Sequence, residues 1–171
     1  MLASVAKNAD LWAAVWRRVV VDDDYLDRVA AVPGDWHLLV LSEDWCGDAV
    51  NTVPVVAKLA ALSPTLELRV LARDENLDLM DAHLTGTSRS IPIVILLDAE
   101  YRERDWWGPR PTALQDSVSG EWKVLEKSSR YREARMWYAR DRGRTTLEEV
   151  VSMLERAGRE EPPPSSAESP T

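Results

Sequence analysis

Trp36-His37-Leu38-Leu39-Val40-Leu41, running into Ser42-Glu43-Asp44-Trp45-Cys46-Gly47-Asp48-Ala49, is the stretch on which the reading of this chain turns. The first half is a compact apolar run after the Pro33-Gly34 turn, the pattern of a buried strand. The second half is a short loop, after which helical spacing holds from Cys46 to Leu62. Pro54 falls inside that helix, so a kink is expected near residue 50, and Pro64 closes the element. A thiol therefore stands where a strand hands over to a helix. Unpaired backbone N–H groups and the positive end of the helix dipole favour a thiolate there. The carboxylates of Glu43, Asp44 and Asp48 oppose it. Cys46 is a candidate nucleophile, and it also fits the plainer role of a small buried hydrophobe.

Working outward, residues 3–20 carry Val5, Leu11, Trp12, Val15, Trp16 and Val19 mostly three and four apart, an amphipathic helix. Asp22 to Asp24 start a second, shorter helix carrying Tyr25, Leu26 and Val29. Beyond the central helix, Leu66–Leu71 reads as a strand and Asn76–Leu84 as a short helix. Ile91–Leu97 is the strongest strand signal, with a short strand around Tyr101–Arg104 after the Asp98 turn. Past Pro109 and Pro111 the pattern is helical, punctuated by Gly120 and Gly143. The order predicts an α/β sandwich with a mixed sheet, in which right-handed crossovers are followed by a hairpin. Residues 1–158 form one domain with its core at about 36–104 and helical extensions at both ends. Residues 159–171, rich in Pro, Ser and Glu, read as a disordered tail.

A length of 171 residues suits a single core. With a single cysteine, neither an internal disulfide nor a thiolate cluster forms, and His37 and His83 have no cysteine neighbours at ligand spacing, so no metal site is expected. Both histidines read as surface or boundary residues. A formal net charge of -8 argues against nucleic acid and anionic membranes as partners. No apolar run is long enough to span a bilayer, and Lys7, Asp10, Arg17 and Arg18 interrupt the opening stretch, which places the protein in the cytoplasm. The charge is uneven: residues 101–144 carry 11 Lys and Arg against 7 Asp and Glu, together with Trp106, Trp107, Trp122 and Trp137. This segment reads as amphipathic helices whose arginines snorkel over buried indoles, in preference to an aromatic-basic surface for a partner. The group Arg73-Asp74-Glu75 reads as a solvated turn at a helix start.

Three features together resemble the thioredoxin family. Trp45-Cys46-Gly47 matches the start of its Trp-Cys-Gly-Pro-Cys turn, Pro54 falls eight residues after Cys46, and Arg89-Ser90-Ile91-Pro92 opens a strand where the family has its cis-proline loop. The likeness runs from about Trp36 to Arg104, and is nearest to a poorly characterised group with a Trp-Cys-Gly-Asp turn. It implies a thioredoxin-like α/β fold, a central mixed sheet flanked by helices. It also implies a cis Ile91-Pro92 bond beside Cys46, a reading preferred, given Trp45-Cys46-Gly47 upstream, to that of a proline merely opening an edge-facing strand. Asp48 stands where the family has proline, Ala49 where it has the resolving cysteine, and Val40 where it has a buried acid.

The implied chemistry is monothiol. Cys46 is the catalytic residue, Trp45, Gly47, Ile91 and Pro92 bind substrate, and Asp48 is a possible acid or base as well as a partner for the helix dipole. An external thiol must resolve the adduct, since the second cysteine is absent. No bound cofactor is expected; a low-molecular-weight thiol serves as co-substrate, and the partners are protein or small-molecule thiols and disulfides. The alternative is a non-catalytic adaptor that binds a peptide or protein at the Pro92 loop.

Overall fold

A computed structural model describes residues 7–159. Its elements are α1 (Ala9–Arg18), α2 (Asp23–Ala30), β1 (Trp36–Ser42), α3 (Gly47–Leu62), β2 (Leu66–Ala72), α4 (Leu77–Asp81), β3 (Ile93–Leu97), β4 (Glu103–Trp107), α5 (Thr112–Ser119), α6 (Lys127–Asp141) and α7 (Arg144–Arg159). Single 3-10 turns lie at Arg73–Glu75 and Glu121–Val124. The four strands form one sheet in the order β2-β1-β3-β4. β1 runs parallel to β2, with α3 as the crossover, and antiparallel to β3, pairing Leu38 with Leu96 and Val40 with Val94. A hairpin joins β3 to β4, its turn held by the Asp98 carboxylate, which accepts from the N–H groups of Glu100 and Arg102 at 3.1 and 2.9 Å.

Alternation along the strands sends side chains into two cores. On one face Leu38, Val40, Val94, Leu96 and Trp107 pack with α1, α2, α3 and α7; on the other Leu41, Ile93 and Ile95 pack with Ile91 and with Met80 of α4. Both central strands are thus covered on both sides, which is why they read as continuous apolar runs. Truncating one of their fully buried leucines to alanine costs about 2–5 kcal/mol.

The end helices are tied on by specific polar contacts. Lys58 of α3 donates to the carbonyls of Trp16 and Val19 at 2.9 and 2.7 Å, closing the end of α1 that lacks intrahelical partners. Arg28 of α2 reaches α7, meeting Glu148 at 2.8 Å and Glu155 at 2.9 Å. Glu149 of α7 accepts from Trp107 Nε1 at 2.6 Å and from the Thr112 N–H at 2.9 Å, which fixes the chain on either side of residues 108–111.

Several boundaries differ from the sequence reading. The first helix spans Ala9–Arg18 rather than 3–20, residues 3–6 lying outside the described residues. The last strand is Glu103–Trp107, so Trp106 and Trp107 belong to the sheet and not to a helix, and of the four tryptophans at 106, 107, 122 and 137 only Trp107 is buried. The α6 helix buries only Tyr138 and is charged nearly all round. His83 is not a surface residue: it is 2% exposed, with Nδ1 2.8 Å from the Leu79 carbonyl oxygen and Nε2 2.9 Å from Glu103 Oε1. Of the segment read as a tail, Arg159 ends α7 and residues 160–171 lie outside the described residues. No described helix is long and apolar enough to cross a membrane.

Candidate functional site

The loop between β1 and α3 is braced before it delivers Cys46. Asp44 accepts from the Lys7 N–H at 2.7 Å through its carboxylate, and from Asn8 Nδ2 and Trp12 Nε1, each at 3.2 Å, through its carbonyl. Glu43 accepts from the Asp74 N–H at 2.9 Å. Both loop acids that the sequence set against the thiol are therefore bound to backbone N–H groups.

Cys46 occupies the cap position of α3, partly buried, in contact with both cores. Its thiol donates to the Ile91 carbonyl at 3.4 Å, and the Ile91-Pro92 peptide bond is cis. Pro92 precedes β3, a central strand, so the edge-strand account of this proline does not apply. Burial pushes the thiol pKa up and the Asp48 charge adds to this, while the N–H groups of Ala49 and Asp48 and the charge of Arg110 pull it down; the net direction is up. Gly47 opens the helix with free space where a side chain would begin. Ala49 is fully buried in the larger core.

On one flank Trp45 is 46% exposed, with the Arg73 guanidinium 5.2 Å from its ring centroid. Arg73 Nη1 also donates to the Arg89 carbonyl at 3.1 Å, so one side chain links the Trp45 loop to the segment leading into Pro92. The 73–75 turn is thus a strut of the site.

On the other flank, Asp48 is held on both oxygens: Arg110 Nη2 lies 2.6 Å from Oδ2, and the Tyr138 hydroxyl donates to Oδ1 at 2.9 Å. Burial and the adjacent carboxylate push the Tyr138 pKa far up, so the group stays a hydroxyl donor. Arg110 arrives from the end of β4 through Gly108-Pro109, a second cis bond. Gly108 has φ +133°, and a Cβ there would lie 2.2 Å from the Pro92 carbonyl oxygen. The two proline loops are therefore stacked backbone to backbone.

The structure brings Cys46, Ile91 and Pro92 together, with Trp45, Gly47 and Asp48 on the same loop and helix start. It adds Arg73, Gly108, Arg110 and Tyr138, which the sequence reading did not assign. Gly108-Pro109 after two tryptophans is a local signal of an abrupt stop; nothing local marks Tyr138, 90 residues from Asp48. Among the described residues no group of three or more His, Cys, Asp or Glu side chains is arranged to hold a metal ion.

No curated protein matches this chain. Two solved structures share its fold. One is a protein of unknown function, PA1234, from Pseudomonas aeruginosa, at 20% identity and a TM-score of 0.72, covering 91% of this chain and 89% of that one. The other is an HIV epitope-scaffold at 21% identity and a TM-score of 0.69, covering 90% and 88%. At such identities the likeness speaks for the fold alone. The family model described as Thioredoxin matches residues 1–129, which take in the Cys46 turn, Pro92 and the Gly108-Pro109 loop, and the chain belongs to the thioredoxin family.

Proposed function

We propose that this protein carries out thiol–disulfide exchange through the single thiol of Cys46, with an external thiol completing the cycle. The observation that carries the reading is the position of the sulfur, 3.4 Å from the Ile91 carbonyl beside cis Pro92 and at the N-terminus of α3. In the first step the Cys46 thiolate attacks one sulfur of a disulfide; a new S–S bond forms, the old one breaks, and the other sulfur leaves as a thiolate. In the second, an external thiolate attacks the substrate sulfur of the adduct and expels Cys46. No electrons are gained or lost overall beyond this exchange. Ala49, where the family has its second cysteine, offers no group for the second step. Backbone groups beside Pro92 and the exposed face of Trp45 supply the contacts for an extended peptide or a small thiol. The proposed setting is the cytoplasm, with protein or small-molecule disulfides as partners and no resident cofactor.

A second reading is favoured by the upward direction of the thiol pKa, which disfavours a thiolate at neutral pH: an adaptor that binds a peptide at the same groove without covalent chemistry. Capture from a lysate under conditions that preserve disulfides separates the two. Exchange predicts partners released from wild type by a reducing agent and none from Cys46→Ser, since a serine hydroxyl does not form the adduct. An adaptor captures the same partners with both chains, and reducing agent releases none.

A further inference from the structure

Asp48 sits in the first turn of α3, where a carboxylate suits the helix dipole but works against a thiolate two residues earlier. Its charge does not stand alone. Arg110 pairs with it at 2.6 Å with both side chains largely withdrawn from solvent, 22% and 16% exposed, so water screens the pair little. Tyr138 covers the other carboxylate oxygen. Arg110 is itself aimed, by Gln115 accepting from Nη1 at 2.9 Å and by a glycine-only passage past Pro92.

We propose that Arg110 is a positioning residue of the Cys46 site: by holding Asp48 in a neutral pair two residues from Cys46, it offsets the opposition of that carboxylate to the thiolate and so raises the reactivity of Cys46. This rests on the exchange reading and adds a regulator to that same site. Other charged and titratable groups of the site are held by partners of their own. Asp48 and Tyr138 are bonded to each other on the Arg110 side, the Arg73 guanidinium lies over the Trp45 ring, and Glu43 and Asp44 are bound to the N–H groups of Asp74 and Lys7. The Arg110 charge pulls the thiol pKa down, in the direction opposite to burial and to the Asp48 charge.

The test is the rate of Cys46 alkylation by iodoacetamide as a function of pH, on the full chain. Arg110→Gln is expected to slow alkylation at neutral pH about three- to tenfold and to move the whole profile toward alkaline pH. Arg110→Lys, which keeps the charge, recovers at least half of the lost rate, and Asp48→Asn accelerates alkylation. An arginine with a merely structural role would, when removed, loosen the loop, expose the thiol and raise the rate at every pH alike. A faster or unshifted Arg110→Gln profile therefore overturns the proposal. Should Arg110→Gln not fold, Asp48→Asn decides, and a slower or unchanged rate for it counts against the idea. Incubation of wild type with a small aromatic disulfide separates the two levels. If Cys46 alkylates yet never forms a mixed disulfide, the exchange reading falls and the control by Arg110 stands. If mixed disulfides form and the profile does not move, only the control by Arg110 falls.

Discussion

Gly108→Ala probes the contact on which the second flank of the site depends. The added Cβ would lie 2.2 Å from the Pro92 carbonyl oxygen and 3.3 Å from Ile93 Cα, so the two loops must part by about 1 Å. The backbone at φ +133° is moreover one that alanine rarely adopts. Such a conformation costs about 1–3 kcal/mol for a residue with a side chain, and overpacking against backbone costs about 1–3 kcal/mol more. The middle of the combined range, about 4 kcal/mol, corresponds to a fall in Tm of about 8–16 °C at about 2–4 °C per kcal/mol for a domain of this size. Thermal unfolding followed by the near-UV signal of the tryptophans measures it. Gly47→Ala is the control: its Cβ meets nothing within 4 Å. That change is expected to leave stability unchanged or to raise it by about 0.5 kcal/mol, through the smaller freedom of the unfolded chain. A Gly108→Ala protein melting within about 2 °C of wild type would refute the stacked-loop argument.

Three further outcomes follow from other parts of the structure. The folded state holds the Cys46 proton more tightly than the unfolded chain, so this group's contribution to stability is complete below the unfolded thiol pKa and is lost as pH rises through the folded value; urea unfolding across alkaline pH should show a falling slope that Cys46→Ala reduces, and identical slopes would contradict this. Wild type should be inactive when a dithiol assay demands an internal resolving thiol, whereas Ala49→Cys, whose N–H already faces the sulfur, should gain measurable activity, and an inert variant would shift attention to Asp48 or Val40 as the block. Arg28→Ala should cost about 1 kcal/mol at pH 7 and less in high salt; because Arg28 holds the Glu148 and Glu155 carboxyls below their usual range, that contribution is present above the unfolded values and is lost as pH falls through the folded ones, so an equal effect of the substitution in acid and at neutrality would count against it.

Legibility in the sequence divides along one physical line. Elements whose burial is written into their own residues were readable: Trp36–Leu41 is apolar on both faces because both faces are covered, and the helix after Cys46 has its period despite Pro54. The bounds of the edge strand β4 do not show in the sequence because its charged residues, Glu103 and Asp105, hide the alternation that sends Trp106 and Trp107 to opposite cores. The burial of His83 is hidden for a related reason, since its ring meets a carboxylate supplied by β4. For the site, the thiol and the Pro92 loop were legible through short motifs in order. Arg73, Arg110 and Tyr138 were not, because each acquires its role through a partner brought near only by the fold, and an arginine or tyrosine in a charged segment carries no mark of that partner.

The Asp48–Tyr138 hydrogen bond spans 90 residues of chain, and that separation orders events during synthesis. Translation proceeds at about 5–20 residues per second, so Cys46 precedes the hydroxyl that binds its neighbour Asp48 by roughly 5–20 seconds. Throughout that interval the nascent chain carries the sulfur without Tyr138, and for most of it without Arg110. The newborn thiol thus spends that interval in surroundings unlike those of the finished protein, and the α7 side chains of the core it packs against are made later still.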